Sequence, residues 1–188
     1  MFLLFYYVVS VVIYRWIENS LMRAVLSYSP EYPPIFEAIR AAILGAIGGV
    51  RVEHFGSTTV PGLAAKPMID VLVVVAAKDL SAVKRELIEL GFHQRDVWVD
   101  TADKPYVGGS VQWKGKPYDV NVHICREGSA DHTRNIVFRD ALRADPDLRA
   151  RYADVKRRAI SAVGADAREY NRFKESFIRE AIDAASGE

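Results

Sequence analysis

Residues 68–76, MIDVLVVVA, are the most constraining segment of the chain: a β-branched apolar run interrupted by one carboxylate, Asp70. A run this apolar has no polar face to turn toward water, so it predicts a central strand covered on both sides. An unpaired carboxylate buried there would cost several kcal/mol. Asp70 is therefore expected to be neutralised by Lys66 or a metal, to take a strand-end hydrogen bond, or to lie at the strand's mouth within reach of a ligand.

The flanking segments supply the covering layers. Pro34 suits the first position of a helix whose apolar residues Ile35, Phe36, Ile39, Ile43, Leu44 and Ile47 recur at helical spacing, with Gly48-Gly49 stopping it. Val50, Val52 and Phe55 predict a short strand, and GSTTVPGLAAKP after it a shaped loop. Residues 79–90 form an amphipathic pattern ended by Gly91. The runs YVGGSVQW at 106–113 and YDVNVHIC at 118–125 read as a hairpin across KGKP, although the Asn-Gly signature of a tight turn is missing. Helical periodicity then holds over 131–144, 147–162 and 166–184, broken at Asp145-Pro146 and at Gly164. Together these predict an α/β (α+β) fold, a small mixed sheet with flanking helices and a C-terminal helical bundle.

Composition narrows the function classes. The 188 residues suit one compact domain, and 50% hydrophobic content is enough for a core. Lys and Arg total 25 against 24 Asp and Glu, so no global field recruits nucleic acid or anionic lipid, and any anion site must be local. Cys125 is the single cysteine, which excludes an intrachain disulfide and fits a reducing, cytoplasmic setting. Residues 1–24 are set apart as an apolar N-terminal extension to a domain over 25–186. The stretch MFLLFYYVVSVVIY ends at Arg15, short of a membrane-spanning helix, and lacks the flanks of a secretory signal. It reads as an extension upstream of a start near Met22, as a packing or docking segment, or as an anchor.

Three clusters carry candidate chemistry. Gly56-Ser57-Thr58-Thr59 follows a strand and offers flexible backbone and hydroxyls, the chemistry of a phosphate-binding turn; neither a P-loop nor a GxGxxG motif occurs. Asp119, Asn121 and His123 alternate with Val120, Val122 and Ile124 and so share a strand face. On that face Asp119 is a candidate second carboxylate and His123 a candidate nitrogen ligand or proton carrier, against a core histidine and a hairpin-end aspartate. His132, Asn135, Arg139 and Arg143 form a stripe at helical spacing, and Tyr152 with Lys156, like Tyr170 with Lys174, pair at i, i+4. Such aromatic and ammonium pairs can stack a base and meet a phosphate, or lie along a helix surface.

The stretch VEHFGSTTVPGLAAKPMIDVLV at 52–73 closely resembles the signature of the GrpB-like family, a branch of the nucleotidyltransferase-fold superfamily. SYSPEYPPIFE at 27–37, VHIC at 122–125, FRDALR at 138–143, Tyr152 through Lys156, Tyr170 and Lys174 through Ile178 resemble further family motifs in order, covering about residues 25–182. The resemblance implies a nucleotidyltransferase-like core in which the glycine-serine turn holds phosphates. In active members of the superfamily, two carboxylates alternating on one strand and a third on a neighbouring strand hold two magnesium ions. Here the partner of Asp70 on the same strand face is Leu72, so the acidic pair is incomplete.

The expected site therefore comprises Asp70 and His123 as catalytic residues, Gly56, Ser57, Thr58, Lys66, Arg139, Lys156 and Lys174 as substrate-binding residues, and Asp70 with Asp119 as magnesium ligands. The expected ligand is a nucleotide or phosphorylated metabolite, handled by magnesium-dependent nucleotidyl transfer. The alternative is a catalytically lapsed binding or interaction module, with a link to coenzyme A biosynthesis through resemblance to a domain appended to some bacterial dephospho-CoA kinases. No stable nucleic-acid partner and no membrane span are expected, and nothing in the sequence sets an oligomeric state.

Overall fold

A computed structural model describes residues 13–14, 25–76, 78–94, 101–164 and 166–187. The expectations for residues 1–12 and 15–24 lie outside the described residues. The strands are β1 (Ile13–Tyr14), β2 (Val50–Phe55), β3 (Met68–Val75), β4 (Tyr106–Trp113) and β5 (Lys116–Arg126). The helices are α1 (Tyr32–Ala46), α2 (Leu80–Glu89), α3 (Ala130–Ala144), α4 (Pro146–Val163) and α5 (Ala167–Ser186). The fold is the mixed α/β architecture expected, with a single sheet in the order β1-β4-β5-β3-β2.

Strand β3 is central, antiparallel to β2 and parallel to β5, whose antiparallel hairpin with β4 extends the sheet. Its apolar sequence follows from this position, since helices cover both faces. On one face Ile69, Val71, Val73 and Val75 join Val120, Val122 and Ile124 in the main core, sealed by Ile35, Ile39 and Ile43 of α1 and by Val83 and Leu87 of α2. On the other face Leu72 and Val74 pack with Phe55, Cys125 and Ile136 of α3. The helices α3 to α5 form a second core around Leu142, Leu148, Tyr152 and Ala181, closed by Val60 and Leu63 from the loop after β2. The Tyr152 ring lies edge-on to Phe138, with centroids 5.0 Å apart, and stacks on Phe177 at 5.5 Å.

Two boundaries differ from expectation for local reasons. Helix α1 begins at Tyr32, ahead of Pro33-Pro34, because the first helical turn needs no donor from the proline nitrogens. The β4–β5 hairpin closes through Lys114 and Gly115, with φ of 49° and 77°. A two-residue hairpin turn of type I′ needs positive φ at both positions, and a lysine takes the place usually held by asparagine. Its ammonium is 2.9 Å from Glu31 Oε1. No helix among the described residues is long and apolar enough to cross a membrane.

Candidate functional site

The polar residues of β3 and β5 emerge on the side of the sheet that faces α3 to α5. Register sets Asp70 beside Asn121 and Leu72 beside His123, and β2 ends with Phe55 opposite Asp70. The chain then turns sharply at Gly56 into a short 3-10 turn, Ser57–Thr59. The sheet edge, this turn and the helices α3, α4 and α5 enclose a cavity of about 340 Å³. Asp70 is half-buried at its wall rather than sealed away, on the same side as the hydroxyl-bearing turn.

Of the residues singled out in the sequence, Gly56, Ser57, Thr58, Lys66, Asp70, His123, Lys156 and Lys174 all line this cavity. The side chain of Lys156 is almost wholly buried, with 2% exposure, and its ammonium donates to Ser57 Oγ at 3.1 Å and to the Ala64 carbonyl. Lys66 and Lys174 each approach the ring of Tyr170, with Nζ 3.9 and 4.1 Å from its centroid. Desolvation pushes Lys156 down to about 7, helped by the charge of Lys174. Burial and the neighbouring Lys66 push Lys174 down to about 8, with Asp70 and Glu175 pulling the other way. Burial also lowers Lys66. Such shifts mean chiefly that ammonium groups have been taken out of water here, with mutual repulsion between Lys174 and its lysine neighbours adding to the cost.

Asp119 and Arg139 are not part of the constellation. Asp119 is fully buried and aligned with Met68 and Ser110, one alternation beyond the Asp70 and Asn121 pair, and it does not line the cavity. Arg139 turns the other way, into a separate cleft, where it binds Glu53 Oε2 and the His54 carbonyl at 3.3 Å and Asp140 at 2.8 Å. Arg143 on the same stripe donates to the Thr59 carbonyl. The arginine stripe thus fastens α3 to β2 and the turn. Helical spacing revealed the shared face but not which neighbour it meets.

The tyrosines of the two i, i+4 pairs also differ from the stacking role. Tyr152 belongs to the bundle core and Tyr170 is 6% exposed, so neither offers an open ring face to a base. Burial raises both phenols, keeping them neutral. His123 packs edge-on to Phe55 and Tyr106, and desolvation pushes it down to about 4, so at neutral pH it presents an uncharged ring. That is a hydrogen-bonding or coordinating nitrogen rather than a proton carrier near pH 7.

Asn121, which the alternation puts on the polar face of its strand but to which no role is assigned from sequence, is central to the site. The Tyr106 hydroxyl donates to Asn121 Oδ1, and Asn121 Nδ2 donates to Asp70 Oδ1 at 3.0 Å. A neutral amide therefore stands where a second carboxylate would face Asp70. Arg134 and Glu175, ion-paired at 2.6 Å, and Asn135 and Asn171 complete the polar lining from the helices. Only β-strand register and helix packing could have selected these.

This donor set does not fit two magnesium ions. Leu72 is fully buried at the alternating position, Asn121 is neutral, and no group of three His, Cys, Asp or Glu side chains among the described residues could hold a metal. A two-metal centre needs several oxygen anions, whereas Asp70 is bonded to an amide and shares its cavity with three lysines.

The GrpB protein family profile matches residues 23–184. A UPF0157 protein of Halalkalibacterium halodurans is 33% identical over 164 residues, covering 86% of this chain and 81% of that protein. A dephospho-CoA kinase of Mycolicibacterium paratuberculosis is 31% identical over 183 residues, covering 83% of this chain but only 44% of the kinase. Among solved structures, the conserved protein GrpB from Enterococcus faecalis superposes with a TM-score of 0.70 at 27% identity, covering 86% of this chain and 96% of that one. The RNA terminal uridylyl transferase Cid1 superposes with a TM-score of 0.50 at 19% identity, over 70% of this chain and 40% of Cid1, a likeness of fold alone. The chain belongs to the GrpB protein family and has a nucleotidyltransferase-like fold.

Proposed function

We propose that this protein binds a nucleotide or a related phosphorylated metabolite in the cavity beside Asp70, and that two-metal nucleotidyl transfer has lapsed. The observation that carries the reading is the convergence of Lys66, Lys156 and Lys174 with the Ser57 hydroxyl on one enclosed space. Ammonium groups withdrawn from water and held near one another favour a polyanion that replaces the lost hydration. Asp70, held by the Asn121 amide, is suited to accept a hydrogen bond from a ligand hydroxyl or amine and so to orient it.

A thermal-shift screen of nucleotides and coenzyme A precursors, with and without magnesium, tests this directly. A ligand present at 100 times its dissociation constant adds about 2.7 kcal/mol to stability. Ser57→Ala and Asp70→Asn are expected to reduce the shift; a shift unchanged in both variants would place the ligand elsewhere.

A second reading draws on the similarity to part of a dephospho-CoA kinase. It ties the protein to coenzyme A biosynthesis as a supporting or interacting module, since the chain carries no P-loop with which to phosphorylate dephospho-CoA by that route. Preferential stabilisation by coenzyme A precursors in the same screen would favour it.

A further inference from the structure

We infer that the ligand is a dianion bound without metal, a phosphomonoester or a diphosphate esterified at both ends, matched to the residual charge of two on the cavity wall. The inference rests on the phosphate-binding reading above and narrows it to a charge class. The wall carries four cations, Lys66, Arg134, Lys156 and Lys174, against two carboxylates, Asp70 and Glu175. Arg134 and Glu175 cancel as an ion pair at 2.6 Å. Three lysines then face one aspartate, leaving a formal excess of two positive charges.

The remaining contacts of the lysines do not remove that excess. Lys66 and Lys174 lie against the Tyr170 ring, and Lys156 against a hydroxyl and a carbonyl oxygen. These partners stabilise a cation but carry no formal negative charge. A net charge in a largely desolvated space is costly unless it is paired. A phosphomonoester brings about −2 near neutral pH and three acceptor oxygens, which is the complement required.

A nucleoside triphosphate carries roughly twice that charge and is ordinarily handled with magnesium held by carboxylates and phosphates. Here Leu72 and the Asn121 amide stand where further carboxylates would have to be, so magnesium gains no foothold and the surplus charge of a triphosphate goes unanswered. The same wall also carries the apolar side chains of Phe55, Met68, Phe138 and Ile178, suited to an uncharged body attached to the phosphate.

The test uses the full chain and a charge series. Adenosine 5′-monophosphate, ribose 5-phosphate and 4′-phosphopantetheine serve as dianions, cyclic AMP as a monoanion and ATP as the high-charge comparator. Each is titrated by calorimetry in EDTA and in magnesium. The expected result is that at least one phosphomonoester binds equally in both, more tightly than cyclic AMP or ATP. Lys174→Met should weaken that binding on the order of tenfold to a hundredfold. Binding confined to ATP with magnesium overturns the dianion inference and leaves the phosphate-binding reading standing. Equal binding of all charges overturns it too. If no phosphorylated compound binds the folded protein, both readings fail together.

Discussion

Gly56 and Asp70 compete for one volume: a Cβ built on Gly56 would lie 2.9 Å from Asp70 Cγ and 3.0 Å from Asp70 Cβ. Gly56 also has φ 72° and ψ −173°, a backbone region that side chains avoid at a cost of about 1–3 kcal/mol. Two separate reasons therefore exclude a side chain, and a mutant cycle can divide them. Gly56→Ala is expected to destabilise the protein by backbone strain and by displacing the carboxylate. In an Asp70→Ala background the clash with the carboxyl group is gone and the strain and the approach to the remaining Cβ persist, so the penalty should fall by about 1 kcal/mol in urea unfolding. Additive penalties would show that the glycine does not make room for Asp70.

Lys174→Met separates function from stability. The lysine shares the Tyr170 ring with Lys66 in a desolvated setting, so removing its charge while keeping most of its length relieves repulsion. The unliganded variant should be at least as stable as the parent by chemical denaturation while its phosphomonoester affinity falls. A variant that unfolds more easily yet binds normally would make Lys174 a structural residue.

Much of this arrangement was legible in the sequence because it depends on local periodicity. The β-branched run at 68–75 could only be a central strand, and the glycine and proline content of 56–67 could only be a shaped loop. The register between β3 and β5 was not legible. Asp119 and Asn121 are both polar and lie on one strand face, and nothing local tells which of them stands beside Asp70. Parallel pairing with β3 decides in favour of Asn121 and moves Asp119 one alternation away. Arg139 illustrates the same limit: its helix face was predictable, but Glu53 and the His54 carbonyl, which claim it, lie 86 and 85 positions away in the chain.

Leu72→Asp, which would restore the alternating acidic pair in sequence, is expected to fail in structure. Leu72 is fully buried against Phe55, Val74, Cys125 and Ile136, an apolar cluster with no cation to receive a carboxylate. The substitution should cost roughly 3–5 kcal/mol, the scale of an uncompensated buried charge. It should also create no magnesium-dependent thermal shift. Near-wild-type stability with magnesium-induced stabilisation would show instead that this strand face can become a metal site.

Dependence on pH should run in opposite directions for the stability of the empty protein and for the shift that a ligand induces. Folding lowers Lys156 from 10.5 to about 7 and Lys174 from 10.5 to about 8, so between those values the unfolded chain binds more protons than the native one. Stability of the unliganded protein therefore rises with pH from about 7 upward, and below that the penalty of burying both charges is fully present. A dianionic ligand reverses the preference, because it stabilises the ammonium forms and so takes up protons on binding. A phosphomonoester is itself dianionic above about pH 6. Its thermal shift should thus be largest between about pH 6 and 7 and shrink as the lysines deprotonate toward pH 9. The scan stops there because Cys125, pushed up from 9.0 to about 11 by burial, would lower stability at higher pH. In Lys174→Met both slopes should flatten. A ligand-induced shift that stays constant from about pH 6.5 to about pH 9 would mean that these ammonium groups do not hold the phosphate.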